Sequence, residues 1–413
     1  MSTVYIAGTG MTAFGRMPDL SLHELAARAV ALALADAGGT RADIGAVFYA
    51  GATNGPLQGQ TAIPGPIAMR RAGFESVPVF SVENACASGS SALHLALQAV
   101  RAGECDVALA VGAEKMNVPD KARMFAVFDG GWDVSTVEAN RAALLALGAG
   151  VTVPPGGDSD KPHSVFMDVY AALCRHHMKS WGTTQRQIAA VAAKNHVHSV
   201  HNPLAQFRDA LSVEQVLAAP PIAWPLTLPM CSAISDGAAA AVVCNAEGLH
   251  RLGVDRKRAV RVLASVVQTG SERSADQPER AIGRCAAERA YERAGVSPAD
   301  IDVAEVHDAT AMGEILNLEA LQLAPTGAAG ALAERGEFSL GGRLPVNPSG
   351  GLESKGHPIG ATGLAQVHEL VLQLRGQAGA RQVPGARLAI QENGGGLYGI
   401  EEAVVAVHIL AAA

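Results

Sequence analysis

The sequence predicts an α/β fold built from two similar halves, and three observations carry this prediction. Short apolar runs rich in β-branched residues alternate with longer helical patterns, as in layered α/β proteins. Segments of the first half also return later in the chain, in the same order. The 413 residues, 49% of them hydrophobic, are enough for two or three domain-sized units with a large core. A wholly disordered chain is therefore excluded.

Local signals place the first elements in order. Residues 5–7 are apolar and predict a strand. Ser21 and Glu24 have the spacing of a capping box, so a helix is expected to begin there and to end at Gly38. The alternation continues with a predicted strand, helix and strand, at 47–49, 92–102 and 107–111.

Three pairs of similar segments predict a duplicated half. The pattern at 37–44 returns 257 positions later, again between an amphipathic helix and an apolar strand. The run that begins at Cys86 resembles the run from Gly360, at an offset of 274. The third pair consists of two apolar runs, 237–243 and 402–408.

Residues 118–232 fit neither copy, so we interpret them as an insertion at a loop of the first half, a common place for substrate recognition. The predicted division therefore has four parts. They are an N-terminal half, an inserted loop domain, the end of the N-terminal half and a C-terminal half, at 1–117, 118–232, 233–256 and 257–413.

Composition argues against several classes of function. The net charge of −7 and the aromatic content of 4% argue against a nucleic-acid binder, which needs basic and stacking surfaces. No apolar run of membrane-spanning length and no typical signal peptide is seen, so no membrane and a cytoplasmic location are expected. Six cysteines without CxxC pairs predict neither a disulfide framework nor a zinc site, and no metal or redox cofactor is expected.

Two turns before helices carry candidate catalytic groups. Cys86 follows a short strand and precedes a helix, and a helix N-terminus favours a thiolate. His357 lies among small residues at the turn that the repeat makes equivalent. Equivalent turns of a duplicated protein tend to face each other, so the thiol and the imidazole are expected to meet as nucleophile and base.

Two further strand ends carry polar groups. His307 and Asp308 end an apolar strand, and a histidine there suits binding of an oxyanion. Glu392 precedes a glycine triplet that begins at Gly394, whose backbone N–H groups could also hold an oxyanion. A plain tight turn would have the same sequence, and a structural role is the alternative for each of these residues.

These motifs, in this order and over essentially the whole chain, resemble the thiolase superfamily. The segments concerned are 83–93, 307–310, 347–351 and, the most specific, the GHPxGATG box at 356–363. The HDxx form of 307–310 is similar to that of the sterol-carrier-protein-type thiolases. The resemblance implies two βαβαβαββ halves in five α-β-α-β-α layers, a homodimer, and coenzyme A as a substrate.

The resemblance also implies roles for single residues. Cys86 would take the acyl group, and His357 would activate it. His357 and His307 would hold the thioester oxygen of the second substrate, while the N–H groups of Cys86 and Gly394 would form a second oxyanion hole. Asn347 and Gly360 lie in the two remaining boxes and are expected to line the substrate site.

One departure from the family concerns the second, acid/base cysteine. Its two usual places hold Glu392 and Ala309. We therefore expect Glu392 to lie near the sulfur of Cys86 and to relay the proton. The alternatives are a water, a histidine of the inserted region such as His163 or His177, and a partner chain.

The predicted function is a CoA-dependent acyltransferase that cleaves a 3-oxoacyl-CoA, or runs the reverse Claisen condensation, through acyl-Cys86. The missing cysteine suggests an unusual acyl chain that is bulky, aromatic or carboxylated. The alternatives are a retro-aldol acyl-CoA lyase and a non-catalytic subunit or lipid carrier. A small OB-fold, zinc-ribbon protein is a possible partner.

Overall fold

The computed structural model describes residues 3–413. The first part of the chain alternates strands with helices. Its elements are β1 (Tyr5–Met11), α1 (Leu22–Asp36), β2 (Ala46–Ala50), α2 (Asn54–Gln58), α3 (Pro64–Arg71), β3 (Val79–Val82), α4 (Ser88–Ala102) and β4 (Val107–Lys115). The predicted capping box opens α1, because Ser21 accepts from the amide of Glu24 and the Glu24 side chain accepts from the Ser21 amide.

A mainly helical segment follows. Its elements are α5 (Lys121–Ala126), α6 (Val137–Leu147), α7 (Val165–Trp181), α8 (Gln185–Ser199), α9 (Val213–Leu217), β5 (Pro221–Ala223) and β6 (Leu226–Thr227). Two further elements, β7 (Asp236–Cys244) and α10 (Ala246–Leu252), come next. The strand β7 lies between β1 and β4, so it returns the chain to the first sheet.

The last part repeats the alternation. Its elements are β8 (Val260–Thr269), α11 (Ile282–Ala294), β9 (Val303–Glu305), α12 (Ala311–Ala320), α13 (Ala329–Glu334), α14 (Thr362–Leu374), β10 (Leu388–Gly395) and β11 (Val404–Ala411). The third strand of this half is reduced to a bridge between Ala304 and Val346. Helices α4 and α14 begin 274 positions apart, which is the offset between the similar runs that begin at Cys86 and Gly360. The division into 1–117, 118–232, 233–256 and 257–413 stays a prediction.

Five layers arise because successive side chains of each strand face opposite sides. In β2, Tyr49 packs on the outer helix α1, while Phe48 faces the layer that holds α4 and α14. In the C-terminal half, Leu410 faces that same central layer, while Ile409 packs toward α11 and α12. The predicted five-layer arrangement is therefore confirmed.

The two sheets are joined at one point. Tyr5 and Ile6 of β1 pair with Arg261 and Val260 at the start of β8. The resulting nine-stranded sheet has the order β3-β2-β4-β7-β1-β8-β11-β10-β9. The two halves are thus held together by main-chain bonds as well as by the central helices.

Glycines allow the turn that carries Cys86 and the turn that carries His357 to approach each other. A Cβ atom added at Gly89, in α4, would lie 2.8 Å from the carbonyl oxygen of Gly360. One added at Gly112, in β4, would overlap that same oxygen, and one added at Gly363 would overlap the hydroxyl of Ser90. No side chain fits between these turns, and the backbones of the two halves are therefore in contact.

We expect Gly112→Ala to destabilise the protein by about 1–3 kcal/mol or more, because the new methyl group has no space beside the Gly360 carbonyl. Urea unfolding would measure the change in the free energy of unfolding. Gly130→Ala is the matched control, since a Cβ added at Gly130 meets nothing within 4 Å. Equal stability of the two variants would contradict the close contact.

Candidate active site

Cys86 lies in the turn between β3 and α4. The preceding residue, Ala85, has a left-handed backbone with φ of 47°, which is sparsely populated for a residue with a side chain. Hydrogen bonds hold this conformation: the Asn84 amide donates to Ser88 Oγ at 2.8 Å, and Ser88 Oγ donates to the carbonyl of Ala85 at 2.6 Å. The short strand, the strained turn and the small flanking residues together bring the thiol to the wall of a cavity.

His357 reaches the same cavity from the equivalent turn before α14. Its amide donates to Ser235 Oγ at 2.9 Å. Its ring nitrogen Nδ1 lies 2.7 Å from Thr362 Oγ1, whose hydroxyl donates to the carbonyl of Pro358 at 3.0 Å. Because that hydroxyl proton is already used, Thr362 accepts from Nδ1–H, and Nε2 of His357 keeps its lone pair. A neutral imidazole with a bare Nε2 is suited to act as a base.

His307 has the opposite tautomer, which a directional chain of hydrogen bonds determines. The chain starts at the carbonyl of Glu392, which can only accept. Gln366 Nε2 donates to that carbonyl at 3.0 Å, so Gln366 Oε1 accepts from Gln391 Nε2. Gln391 Nε2 also donates to Ser90 Oγ, and the Ser90 hydroxyl donates to Asn393 Oδ1. The other side-chain atom of Asn393, Nδ2, faces His307 Nδ1. Asn393 Nδ2 therefore donates to His307 Nδ1 at 3.0 Å, and His307 carries its proton on Nε2.

The thiol and the two imidazoles form one cluster. One ligand-type atom from each of Cys86, His307 and His357 lies within 4.8 Å of the others, and the two rings meet edge to face with centroids 5.2 Å apart. A neutral imidazole with a bare Nε2, an Nε2–H donor and a thiol thus converge on one point. Gly394 lines the same cavity, as the sequence predicts.

Three of the sequence-predicted site residues do not line this cavity. The Glu392 carboxylate is fully buried, and its Oε2 accepts from the amide of His307 at 2.9 Å. The Asn347 amide is also fully buried and donates to Glu314 Oε2 at 2.7 Å. The Gly360 amide faces Glu114 Oε1 at 3.3 Å. Glu392 therefore supports the main chain of His307, and the expectation that it lies beside the Cys86 sulfur is not met by this placement.

Burial dominates the electrostatics of the cluster. It raises the pKa of the Cys86 thiol to about 12, and the negative charges of Glu114, Glu83 and Glu402 add to this effect. Burial lowers the pKa of His307 to about 4 and that of His357 well below its usual value, where His307 and Lys355 contribute. The helix N-terminus was expected to favour a thiolate, but burial and the carboxylates outweigh it, and the resting pair is a neutral thiol beside a neutral imidazole.

A thiol and two imidazoles are also a set that zinc binds. A metal ligand must offer a lone pair, and the hydrogen bond from Asn393 leaves His307 with a proton on Nε2. The donor set therefore fits an acid/base site better than a metal centre.

The rest of the cavity is large and mainly apolar. Its volume is about 780 Å³. The segment between β4 and β7 supplies aromatic side chains to its wall, namely Phe125, Phe128, Phe166 and Tyr170, and Trp132 packs on Phe166 with centroids 5.4 Å apart. A cavity of this kind accommodates a bulky apolar group.

The cavity wall includes polar residues that were not predicted from the sequence, among them Tyr170, Cys231 and Glu402. Tyr170 and Cys231 had no local signal, since each lies in an ordinary helical or loop pattern. Glu402 had one: Glu401 and Glu402 form an acidic pair within an otherwise apolar C-terminal segment.

Comparison with known families identifies the chain. Residues 4–216 match the family "Thiolase, N-terminal domain", and residues 265–408 match "Thiolase C-terminal domain-like". The chain belongs to the thiolase family. The resemblance seen in the sequence is thus confirmed, and so is a thiolase-like CoA acyltransferase at the level of the family.

Several thiolase-family relatives are similar over nearly the whole chain. Sterol carrier protein 2 of Homo sapiens is 37% identical over 416 residues, which cover 97% of this chain and 71% of that protein. An acetyl-CoA acetyltransferase of Methanothermobacter thermautotrophicus is 38% identical over 416 residues, 99% of both chains. The benzoylsuccinyl-CoA thiolase subunit BbsB of Thauera aromatica is 34% identical over 397 residues, 95% of this chain and 94% of that one.

A solved structure supports the thiolase fold. A chain of the Ltp2-ChsH2(DUF35) aldolase superimposes with a TM-score of 0.78 and covers 99% of this chain and 98% of its own, at 23% sequence identity. At this identity the likeness concerns the fold alone.

We expect Asn393→Asp to reduce turnover by about 10–100-fold, because a carboxylate beside His307 Nδ1 would draw the ring proton to that nitrogen and remove the Nε2–H donor. Steady-state kinetics would show the loss in kcat. A matched control is Asn140→Asp, on an exposed helix outside the cavity. Unchanged kcat in Asn393→Asp would contradict the role of the hydrogen-bond chain.

Proposed function

We propose that this thiolase-family chain cleaves a 3-oxoacyl-CoA with CoA, or runs the reverse Claisen condensation, through an acyl thioester on Cys86. The observation that carries this proposal is the approach of Cys86, His307 and His357 within 4.8 Å at the wall of one large apolar cavity. His357 Nε2 would take the thiol proton, and the sulfur would attack the 3-oxo carbon. His307 Nε2–H would stabilise the thioester oxygen of the departing enolate.

The acyl group that we propose is bulky and apolar, and preferably aromatic. The aromatic wall formed by Phe125, Phe128 and Phe166 supports this choice, since flat rings pack favourably on such side chains. The name of the relative BbsB, a benzoylsuccinyl-CoA thiolase subunit, points to the same class of substrate.

Partner chains are also a matter of proposal. We propose a homodimer, because β3 is the edge strand of the sheet and its Phe80 is 53% exposed. The names of BbsB, a subunit, and of the aldolase with a DUF35 partner support a second, smaller OB-fold zinc-ribbon protein as a further partner.

In the described part of the chain, no helix is both long and apolar enough to cross a bilayer. We retain the cytoplasmic location as a proposal.

Mass spectrometry of the intact protein after mixing with 3-oxoacyl-CoA substrates tests the proposed function. An acyl adduct on Cys86, formed faster with an aryl than with a short alkyl chain and discharged by CoA, is the expected result. Release of an aldehyde or ketone from a 3-hydroxyacyl-CoA would indicate the lyase instead. Neither adduct nor release would indicate a carrier.

A further inference from the structure

Thiolysis leaves a proton problem that the cluster of Cys86, His307 and His357 does not solve. The α-carbon of the departing acyl-CoA needs a proton, and the CoA thiol must lose one. His357 is occupied by the thiol of Cys86, and His307 is committed as a donor. The two places that ordinarily carry the second cysteine hold Glu392, bound to the amide of His307, and Ala309.

We infer that Glu402 is the acid/base residue of this site and transfers both protons. The inference rests on the proposed function. It assigns a catalytic role to a residue of the loop between β10 and β11.

The Glu402 side chain lies at the reaction cavity. It lines the cavity with Cys86 and both histidines. A Cβ atom added at Gly394 would lie 2.7 Å from Glu402 Cγ and 3.3 Å from Oε1, so the carboxylate lies directly against the glycine whose amide is proposed to hold the acyl oxygen. The negative charge of Glu402 also raises the pKa of the Cys86 thiol, after the larger effects of burial and of Glu114.

The Glu402 carboxylate is also available for proton transfer. Within residues 3–413, no other residue's side chain donates a hydrogen bond to the Glu402 carboxylate, and its neighbour Glu401, not Glu402, pairs with Arg273. Burial, with the charge of Glu401 beside it, raises the pKa of Glu402. A carboxyl group that holds its proton more tightly than usual can donate to a carbanion and then accept from a thiol.

Other titratable groups of the wall are less suited. Both ring nitrogens of His163 have partners, Lys161 O at 3.1 Å and Asp168 Oδ1 at 3.0 Å. Glu83 is exposed, and its Oε1 accepts from the amide of Ala85 at 2.6 Å. Cys231 donates its thiol to the carbonyl of Thr227 at 3.6 Å, and burial raises its pKa. Cys231 is the strongest rival, because it is also a thiol on the cavity wall.

The proton transfers balance. In the first half-reaction the Cys86 sulfur bonds to the 3-oxo carbon, its proton moves to His357, and the bond between the α- and β-carbons breaks. The electron pair stays on the α-carbon, which takes the proton of the Glu402 carboxyl group. In the second half-reaction the Glu402 carboxylate takes the CoA thiol proton and the CoA sulfur bonds to the acyl carbon. The Cys86 sulfur leaves and regains its proton from His357.

Exchange of the α-protons of acetyl-CoA in D₂O tests the inference, with a separate measurement of Cys86 acylation by an activated thioester. We expect Glu402→Gln to keep the acylation rate within about threefold and to lose exchange by about 100-fold or more. In the wild type, exchange should rise with pH as Glu402 ionises, and the variant should lose this dependence. Glu402→Asp should keep the pH dependence at a reduced rate. Glu279→Gln, at an exposed carboxylate outside the Cys86 cavity, is the matched control.

Two results would overturn the role of Glu402: wild-type exchange in Glu402→Gln, or a loss of exchange confined to Cys231→Ser. If Glu402→Gln fails to fold, as its melting temperature would show, an unchanged exchange rate in Glu402→Asp would overturn it instead. Absence of acyl-Cys86 in the wild type would refute the proposed function and this inference with it. Normal acylation with retained exchange would refute Glu402 alone.

Discussion

Cys86→Ala is expected to lose thiolysis by about 10⁴–10⁶-fold, because the thiol proposed to take the acyl group is removed. The fold should be kept, since Cys86 is only half-buried and the turn is held by the hydrogen bonds of Ser88. Steady-state turnover of a 3-oxoacyl-CoA, together with the acyl adduct seen by mass spectrometry, would measure the effect.

The control for this prediction is a second half-buried cysteine. Cys285→Ala removes a thiol on α11, outside the cavity, and should leave turnover within about twofold of the wild type. A Cys86→Ala variant that turns over at the control's rate would show that Cys86 is not the nucleophile.

His357→Asn is expected to lower kcat by about 10²–10⁴-fold, because the proposed base for the thiol proton is removed. The thiol itself should also react more slowly. With a pKa of about 12 for Cys86, roughly one thiol in ten thousand is ionised at pH 8 without help, and the ionised fraction rises tenfold with each pH unit.

Alkylation by iodoacetamide measured against pH separates the two contributions. The wild type should react appreciably near neutrality, whereas His357→Asn should need a higher pH for the same rate. His250→Asn, an exposed substitution on α10, is the control. Superimposable pH profiles for the wild type and His357→Asn would show that the imidazole does not assist Cys86.

The sequence was sufficient for those parts of the site that local patterns encode. Cys86 and His357 each lie between an extended segment and a helix start, and glycines and small residues around them mark both turns. The duplication then placed the two turns opposite each other, because helices α4 and α14 occupy equivalent positions in the central layer.

Features that depend on distant packing were not predictable. Glu392 and Gly394 lie on the same face of β10, but two residues of a strand span about 7 Å. That distance moves the carboxylate out of the cavity and under the main chain of His307. The high pKa of the thiol was missed for a similar reason, since it comes first from burial and then from the charges of Glu114, in β4, and of Glu402, in the loop after β10.

The glycine contact between the halves has a consequence for biosynthesis. The turn of Cys86 acquires its imidazole only when Gly360 and its neighbours have been made and have closed against Gly89 and Gly112. About 270 residues separate Cys86 from His357, which at 5–20 residues per second is roughly 14–54 s of translation. During that time the thiol lacks the burial by the C-terminal half, which contributes to its raised pKa in the folded protein. The nascent chain is thus more open to oxidation at this sulfur than the finished enzyme.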